Sequence, residues 1–306
     1  MPLTRPMKGE DLEDSKLDSI SFPVIVSPKL DGIRSIKVSG KMVSSTFKPI
    51  ANVHIRSLLE MALPNGADGE IISGPTFQST TSAVMTQEGE PEFTFWVFDL
   101  VNPENLEERY VDRLVQLHQW FNASERLNVK IVPTWIVFNL EEFLEREKLF
   151  LSLGYEGMMV RSLDGFYKCG RATLKQQWLF KRKPFEDSEA KIIGFVEQRT
   201  NTNRMETNEL GLSKRSSSKS GKVRAGTLGK FLAVDIHGKF PDVVLRIGTG
   251  KGLTKDLRQN IWDDQASYMG RTIVYKFQRV GVKDAPRLPI YKGFRDPRDI
   301  EYDYTA

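Results

Sequence analysis

Lys29-Leu30-Asp31-Gly32-Ile33-Arg34 is the stretch around which the rest of the chain is organised. A lysine stands just past an apolar run, an acid follows two residues on, and a glycine and an arginine complete the pattern. An uncharged lysine amine can attack a phosphorus atom and hold the product as a phosphoramidate, provided that burial or neighbouring cations help it to lose its proton. Lys29 is therefore a candidate nucleophile for the covalent capture of a nucleotide. The alternative is a solvated lysine in a surface turn.

Short strands are predicted on both sides of this lysine. The run Phe22-Pro23-Val24-Ile25-Val26 predicts a buried strand, and residues 34–38, the turn Ser39-Gly40 and residues 41–44 predict a hairpin. Periodicity further predicts helices over 52–63, 111–121 and 140–153 and strands over 68–72, 92–100, 129–137, 156–161 and 178–183. Residues 1–20 are polar with mixed charge and predict a short, partly ordered segment. Lys29 is thus expected between strands, where a rigid sheet can aim it.

Two acids next to glycine are candidates for the polar part of a nucleotide site. Glu70 stands in Asp68-Gly69-Glu70 and Glu156 in Glu156-Gly157, each near the start of a predicted strand. The alternative for each is a surface turn, because such pairs are common in turns. Glycine, however, lets a ligand approach the backbone closely, and a nucleotide site needs acceptors for a ribose hydroxyl and ligands for magnesium.

Two lysines with a spacing of two are candidates for binding a phosphate. On a strand, Lys181 and Lys183 point to the same face, where two ammonium groups need an anion opposite them. The pair would also disfavour protonation of a neighbouring Lys29. The alternative is that the two lysines simply point into solvent from an edge strand of the sheet. Phe98, in the aromatic run 95–99, is a candidate to stack on a base, with core packing as the alternative.

The pattern of predicted elements changes near Pro184, from mixed helices and strands to mainly short strands. A chain of 306 residues is usually divided into two domains. Beyond this point, short strands are predicted over 191–197, 228–235, 243–248 and 272–279, with one helical piece over 257–268. This pattern is typical of a small Greek-key barrel, and we place the boundary at 188. Residues 211–224 contain five basic residues and no acidic one, which predicts either a solvated loop or an arm that closes on a polyanion.

Composition excludes several kinds of site. A net charge of +4 means that a nucleic acid would be met by local basic patches rather than by a uniformly basic surface. One cysteine and three histidines leave no internal disulfide and no cysteine-rich zinc cage, so a divalent ion would be held by carboxylates, water and substrate phosphates. These four residues have no partners at catalytic spacing and are interpreted as structural: Cys169, His54, His118 and His237. Without an apolar signal core or an apolar run of 18 residues, an intracellular soluble protein is expected.

The ordered motifs resemble the covalent nucleotidyltransferases, a superfamily that comprises ATP-dependent DNA ligases, RNA ligases and mRNA capping enzymes. The motifs are K-x-D-G-x-R at 29–34, D-G-E at 68–70, F-D at 98–99, E-G-x-M-x-R at 156–161 and K-x-K at 181–183. Within the superfamily, the chain is most similar to the minimal ATP-dependent DNA ligases of Chlorella viruses, over nearly its whole length. Strings outside the catalytic motifs carry this likeness: 45–50, 80–86, 213–216, 219–223, 247–250 and 283–287.

This resemblance implies an α+β fold with two domains. A nucleotidyltransferase (adenylation) domain, with ATP-grasp-like antiparallel sheets and helices, would cover 1–187. An OB-fold β-barrel would cover 188–306, with a basic latch-like loop at about 203–226. The latch residues expected to bind DNA are Lys214, Arg215, Lys219 and Lys222.

The resemblance also carries the roles of nucleotide-binding residues onto matching positions. Lys29 would be the adenylated nucleophile, and Lys181 and Lys183 would act in catalysis by binding the α-phosphate. Phe98 would stack on adenine, and Arg171 would lie near the nucleotide.

The remaining roles concern the metal and the DNA. Glu70 would face the ribose and, together with Glu156, the metal ion. Arg34 would contact both the nucleotide and the phosphate near a nick. One departure stands out: Ser45 occupies a position where the family usually has arginine, and Ala51 one where the similar viral ligase has arginine. Because losing a charged contact to ligand typically costs about 1–3 kcal/mol, weaker nucleotide or nick binding is expected.

The implied activity is ATP-dependent sealing of 3′-hydroxyl/5′-phosphate nicks in duplex DNA, through a lysyl-AMP and an adenylated DNA intermediate. Its cofactors would be ATP and Mg²⁺, with Mn²⁺ as a substitute. The protein would be a monomer without a membrane partner, acting in DNA replication, repair or recombination, in the host cytoplasm or nucleus if it is viral. The alternatives are an RNA ligase or mRNA capping guanylyltransferase of the same superfamily, and a non-catalytic nick-binding protein.

Overall fold

The computed structural model describes residues 3–101, 103–123, 128–207, 213–278 and 285–296. The chain forms two compact units and leaves the first after Lys183, with the second beginning at Pro184. Within these ranges, no helix is both long and apolar enough to cross a membrane. Parts of two sequence strings quoted above, 211–212 and 283–284, lie outside the described residues.

The first unit mixes strands and helices. Its strands are β1 (Glu10–Asp11), β2 (Val24–Pro28), β3 (Ile33–Val38), β4 (Lys41–Ser44), β5 (Ala67–Ile72), β6 (Thr94–Leu100), β7 (Val129–Ile131), β8 (Trp135–Val137), β9 (Met158–Ser162) and β10 (Leu179–Arg182). Its helices are α1 (Val53–Ala62), α2 (Phe77–Met85), α3 (Tyr110–Asn122) and α4 (Leu140–Ser152), with a 3₁₀ helix at Asp14–Ser19.

These strands form two five-stranded sheets. The first has the order β1-β10-β9-β2-β8, and its central strand β9 runs antiparallel to both β2 and β10. The second has the order β4-β3-β5-β6-β7. Buried apolar residues anchor both sheets: Phe143 and Phe150 of α4 belong to the core of the first, and Ile55 and Leu59 of α1 to that of the second. Groups at the ends of these strands therefore rest on rigid supports.

The hairpin predicted after Arg34 is confirmed. Strands β3 and β4 pair antiparallel from Ser35 to Val38, and the turn consists of Ser39 at φ 48° and Gly40 at φ 80°. Two consecutive residues in the left-handed region are what a two-residue hairpin turn needs to match the twist of its strands.

The single strand predicted over 129–137 is wrong. Residues Val129–Ile131 pair parallel with β6 of the second sheet, whereas Trp135–Val137 pair antiparallel with β2 of the first sheet. Pro133 lies between the two pieces and has no N–H to donate to a ladder, so the chain crosses from one sheet to the other there.

Two other stretches are more ordered than predicted. Helix α2 was not predicted because its hydroxyl and β-branched residues have modest helix propensity, yet a capping box joins the Thr76 and Ser79 side chains to each other's backbone N–H groups. Residues 1–20, predicted to be partly ordered, contribute β1 and the 3₁₀ helix, and the backbone of Lys8 bonds to both Gly170 and Ala172. The order of this segment comes from distant partners rather than from its own periodicity.

From Pro184 onwards the chain is mainly β. The strands are β11 (Glu186–Asn201), β12 (Met205–Thr207), β13 (Ser213–Arg215), β14 (Lys222–Asp235), β15 (Leu245–Gly248), β16 (Thr272–Gln278) and β17 (Arg287–Phe294), with helices α5 (Lys255–Asp263) and α6 (Gln265–Tyr268). Five of them close a barrel in the order β11-β14-β15-β17-β16, with Phe231 and Tyr275 fully buried inside. Strand β17 was not predicted, and the single helix predicted over 257–268 is interrupted at Asp264, whose φ of −124° and ψ of 59° are not helical.

Candidate active site

Three charged side chains meet at one end of the first sheet. Lys29 follows β2, Glu156 precedes β9 and Lys183 follows β10. Because β9 runs antiparallel to both neighbours, the last residues of β2 and of β10 pair with its first residue, Met158. The strand order therefore brings together residues that are far apart in the chain.

Glu156 forms an ion pair with each of the two lysines. Its Oε2 lies 2.6 Å from Nζ of Lys29 and 2.9 Å from Nζ of Lys183, and its side chain is only 3% exposed. Burial alone would raise the pKa of Glu156, but Lys29 and Lys183 more than offset this and hold that pKa at about 2. Glu156 is thus ionised at neutral pH, and Lys29 is held beside a carboxylate.

Gly157 is required for this arrangement. Its φ is +147°, and a Cβ atom there would lie 2.1 Å from the carbonyl oxygen of Arg182. We expect Gly157→Ala to lower the free energy of unfolding by about 2 kcal/mol or more, as measured by urea denaturation. Gly154→Ala is the matched control: its φ is +87° but nothing lies within 4 Å, so only backbone strain of about 1 kcal/mol is expected. Equal losses in both variants would show that the overlap with Arg182 does not matter.

The lysines of the K-x-K motif contact different acids. Whereas Lys183 pairs with Glu156, Lys181 on β10 lies 3.3 Å from Oδ1 of Asp11. Arg171 also faces this acidic strand: its Nη1 donates to the carbonyl of Gly9 at 3.2 Å.

Arg34, on the second sheet, is held from several sides. Its Nε and Nη2 donate to the two carboxylate oxygens of Asp68 at 2.9 and 2.6 Å, and its Nη1 donates to the carbonyl of Met7. Tyr167 completes the network, because its hydroxyl donates to Asp68 at 2.9 Å. Burial lowers the pKa of Arg34, but Asp68 outweighs this and the pKa is raised. In this structure, the Arg34 guanidinium joins the N-terminal segment to β3 and β5.

Phe98 sits at an irregularity of β6. Pairing with β5 skips from Asp99 to Val97, so Phe98 is the extra residue of a bulge, a feature that commonly redirects a side chain near functional sites. Its ring is flanked by two guanidinium groups, with Cζ of Arg34 at 5.3 Å and Cζ of Arg161 at 5.6 Å from the centroid.

A buried charge cluster fixes this part of β6. The Asp99 carboxylate accepts from Nε of Arg113 at 2.9 Å and from Nη1 of Arg161 at 2.8 Å. Burial would raise the pKa of Asp99, but the two arginines lower it below its ordinary value. Arg161 lies on β9, so this cluster also ties the two sheets of the first unit together.

Glu70 lies inside β5 rather than at its start, in register with Arg34 across the ladder. Burial raises the pKa of Glu70 to about 7, against the opposing influence of Lys29 and Arg34. At neutral pH this carboxyl is therefore close to half-protonated.

The raised pKa of Glu70 predicts a pH-dependent stability. Between about pH 4.5 and about pH 7 the folded chain binds more protons than the unfolded chain, so the free energy of unfolding contributed by Glu70 falls as the pH rises. The glutamine of Glu70→Gln cannot ionise. The free energy of unfolding of this variant is therefore expected to rise relative to that of the wild type as the pH increases across this window, by on the order of 1–3 kcal/mol. Urea unfolding of both proteins at pH about 5 and about 8 measures this difference in the free energy of unfolding. A difference that is the same at both pH values contradicts the prediction.

A cavity of about 240 Å³ opens between these groups. The predicted site residues that line it are Lys29, Arg34, Glu70, Phe98, Arg171 and Lys181. Its apolar wall includes Val132, Met159 and Leu179, which suits one flat ring beside Phe98. The ammonium and guanidinium groups that also line the cavity, those of Lys29, Lys181, Arg34 and Arg171 among them, suit phosphates. Glu156 and Lys183 adjoin the cavity through their contacts with Lys29 and with each other.

Comparison with known proteins identifies the chain. No protein-family model matches it. The DNA ligase of African swine fever virus is 30% identical over 107 residues, which are 35% of this chain but only 26% of that protein, so the chain matches about a quarter of the length of its curated relatives. The solved Chlorella virus DNA ligase-adenylate is 33% identical, with a TM-score of 0.56, and the match covers 96% of this chain and 99% of that one. The chain belongs to the ATP-dependent DNA ligase family. A Lig E DNA ligase, at 22% identity and a TM-score of 0.68, has the same fold over 94% of this chain.

The ordered motifs predicted this family, and the comparison confirms it. The motif residues lie on different strands and loops, yet six of the eight predicted nucleotide-site residues line one cavity and the other two adjoin it. The mixed helices and sheets of the chain agree with the predicted combination of α and β structure.

Magnesium is implied by the family, and the donor set allows a test of fit. Within the described ranges, no group of three or more His, Cys, Asp and Glu side chains is placed to hold a metal ion. Glu70 in the cavity lining and the ionised Glu156, which contacts Lys29 of the same lining, offer two carboxyls, and magnesium is usually held by one or two carboxylates together with substrate phosphates. The residues fit a metal ion that arrives with the nucleotide.

Several residues of the site were missed from the sequence. Lys8 and Gly9 line the cavity, and a Cβ at Gly9 would lie 3.2 Å from the backbone N of Lys181, so the N-terminal segment runs directly beside β10. Arg161 and Asp99 stand in the motifs, but no role was predicted for them. Their contact spans 62 residues of sequence and leaves no local signal.

The predicted DNA-binding residues of the latch lie on and beyond a small two-stranded sheet rather than in a loop alone. Strands β12 and β13 form a two-stranded sheet, and the connecting residues 208–212 lie outside the described part. Lys214, Arg215 and Lys219 are exposed, and Lys222 begins β14. Asn203 orders the following turn, since its side-chain amide donates to the carbonyls of Ser216 and Ser218.

Proposed function

We propose that the chain is an ATP-dependent DNA ligase that seals nicks between a 3′-hydroxyl and a 5′-phosphate in duplex DNA. The observation that carries this proposal is the cluster of Lys29, Glu156 and Lys183 beside a cavity that is lined by an aromatic residue, Phe98, and by several cations. Such a cavity offers a stacking surface for a base, binding groups for phosphates and a nucleophile at one end.

The reaction has three nucleotidyl-transfer steps. Once Nζ of Lys29 has lost a proton to solvent, it attacks the α-phosphorus of ATP, so that an N–P bond forms while the P–O bond to pyrophosphate breaks. The AMP then passes to the 5′-phosphate of the nick, and Nζ of Lys29 leaves. Finally, the 3′-hydroxyl attacks this activated phosphate and releases AMP. Each step is an in-line displacement, for which positioning and electrostatic stabilisation supply most of the acceleration.

The chain's own residues have distinct tasks in these steps. Lys181, Lys183 and Arg171 neutralise the phosphates, and Phe98 stacks on the adenine. Glu70, which lines the cavity, faces the ribose and accepts a hydrogen bond from a ribose hydroxyl. Glu156, Glu70 and the phosphates would hold magnesium, which would supply further neutralisation of charge on the α-phosphate.

The domain assignment is part of the same proposal. The first unit corresponds to a nucleotidyltransferase (adenylation) domain, proposed as residues 1–187. The closed five-stranded barrel supports an OB-fold for residues 188–306. The exposed cations Lys214, Arg215 and Lys219 support binding to the DNA backbone, which would be sequence-tolerant and sensitive to salt. Arg34 is proposed to contact a phosphate near the nick, which requires that this phosphate replace Asp68 as the acceptor of its hydrogen bonds.

Labelling experiments test this function. The full chain is incubated with α-³²P-ATP and Mg²⁺, and label on the protein is expected. Addition of nicked duplex DNA should then remove the label and yield sealed strand. Label from GTP but not from ATP would favour a capping enzyme, and faster joining of RNA ends than of nicked DNA would favour an RNA ligase. Binding to nicked DNA without any label on the protein would leave a non-catalytic nick-binding protein.

A further inference from the structure

Two acids on β1 face the cations of the cavity. Strand β1 runs parallel to β10 with Asp11 in register with Lys181. Oδ1 of Asp11 lies 3.3 Å from Nζ of Lys181, and its Oδ2 lies 4.0 Å from Nη1 of Arg171. Oε2 of Glu10 lies 3.7 Å from the same Nη1. Lys181 and Arg171, two of the three cations proposed to meet phosphates, thus already have a carboxylate partner.

The backbone keeps these acids in place. Leu12 N–H donates to the carbonyl of Lys181 at 3.1 Å, on the residue directly after Asp11. On the N-terminal side of β1, the backbone of Lys8 is bonded to the segment that carries Arg171. Its N–H donates to the carbonyl of Gly170 at 2.7 Å, and its carbonyl accepts from the N–H of Ala172 at 2.8 Å. Because the strand is fixed at both ends, a carboxylate displaced by a ligand stays within a few ångströms of it.

We propose that Asp11, assisted by Glu10, competes with nucleotide phosphates for Lys181 and Arg171 and so limits the affinity of the cavity for triphosphates and for pyrophosphate. The inference rests on the proposed ATP-binding function of the cavity. A phosphate that approaches Lys181 has to replace the Asp11 carboxylate and then lies next to a like charge. Asp11 and Arg171 are 60% and 52% exposed, so this competition is screened by salt.

Such a competitor serves turnover. Tight binding of the triphosphate in the ground state does not speed the chemical step, and the same cations would retain the departing pyrophosphate. A carboxylate that returns to Lys181 helps to expel pyrophosphate and leaves the adenylated site ready for DNA.

The test uses α,β-methylene-ATP, which cannot be cleaved between the α- and β-phosphates. Its dissociation constant is measured with Mg²⁺ by titration calorimetry for the wild type and Asp11→Asn. We expect the variant to bind about 3- to 10-fold more tightly at about 0.05 M salt, and this gain to shrink at about 0.5 M salt. Inorganic pyrophosphate should behave in the same way, whereas adenosine, which has no phosphate, should bind equally to both proteins.

Two variants separate this effect from others. Glu13→Gln removes the same charge from an exposed residue two positions further on, whose side chain makes no helix-capping bond, and should leave all three affinities unchanged. In a Lys181→Gln background, Asp11→Asn should gain much less, because the contested cation is gone. If the wild type does not bind α,β-methylene-ATP, the proposed function fails and this inference with it. If the wild type binds and Asp11→Asn binds equally or more weakly, only the inference about Asp11 is overturned.

Discussion

Replacing Lys29 with alanine is expected to abolish transfer of label from α-³²P-ATP to the protein, a loss of at least about 10⁴-fold. The reason is chemical rather than structural, since Lys29 supplies the nitrogen of the bond to phosphorus and neither Lys181 nor Lys183 can replace it from its own acid partner. The measurement is a time course of labelled protein on a denaturing gel, which retains only covalent adenylate.

A matched lysine and a bypass substrate make this result specific. Lys41→Ala removes a lysine whose side chain is 73% exposed on β4, and should label at the wild-type rate. Lys29→Ala should still join a nick whose 5′-phosphate already carries AMP, since the last transfer needs no lysine nucleophile. Labelled Lys29→Ala protein, or a variant that fails on the pre-adenylated nick while remaining folded, would mean that Lys29 has another role.

The strands around Lys29 could be predicted from the sequence because the signals for them are local. An apolar run, a lysine, and an alternating segment closed by Ser39-Gly40 predict strand, turn and hairpin within about twenty residues, and β2, β3 and β4 lie there. The role of Lys29, by contrast, depended on Glu156 and Lys183, which are distant in sequence. No local pattern states that β9 lies between β2 and β10, and this order alone puts the carboxylate between the two ammonium groups.

The errors share a physical cause. Residues 129–137 are apolar except for Lys130 and Thr134, so periodicity could not show that β7 and β8 belong to different sheets. The N-terminal segment has no apolar period, since β1 has only two residues and takes its order from β10 and from the segment around Gly170. The role predicted for Arg34 at a phosphate stays a prediction, but its contact with Asp68 was also missed; an arginine inside a sheet needs a counter-ion. Tertiary partners decided each of these points.

Replacing Glu156 with glutamine is expected to reduce labelling of the protein by about 10²–10³-fold while leaving the chain folded. The substitution keeps the shape of the side chain but removes the charge that holds Lys29 and Lys183, at 2.6 and 2.9 Å, and that is proposed to face the metal ion. Two ammonium groups then share a site without a carboxylate, so Lys29 loses its fixed position next to the α-phosphate.

The same substitution has a signature in stability that separates charge from shape. Since the pKa of Glu156 is lowered to about 2 in the folded chain, its carboxylate stabilises the fold above about pH 4.5, and this contribution is lost as the pH falls through about 2. Urea unfolding should therefore show Glu156→Gln to be less stable than the wild type by on the order of 2–3 kcal/mol at neutral pH, with the difference shrinking in acid.

Glu141→Gln is the matched control, because it removes an exposed acid from the first turn of α4. It should label at the wild-type rate, and its free energy of unfolding should differ from that of the wild type by no more than a few tenths of the Glu156→Gln effect at any pH. Full labelling by Glu156→Gln would contradict the role of this carboxylate in positioning Lys29. A stability difference that does not depend on pH would show that the ion pairs with Lys29 and Lys183 are not what stabilises this end of the sheet.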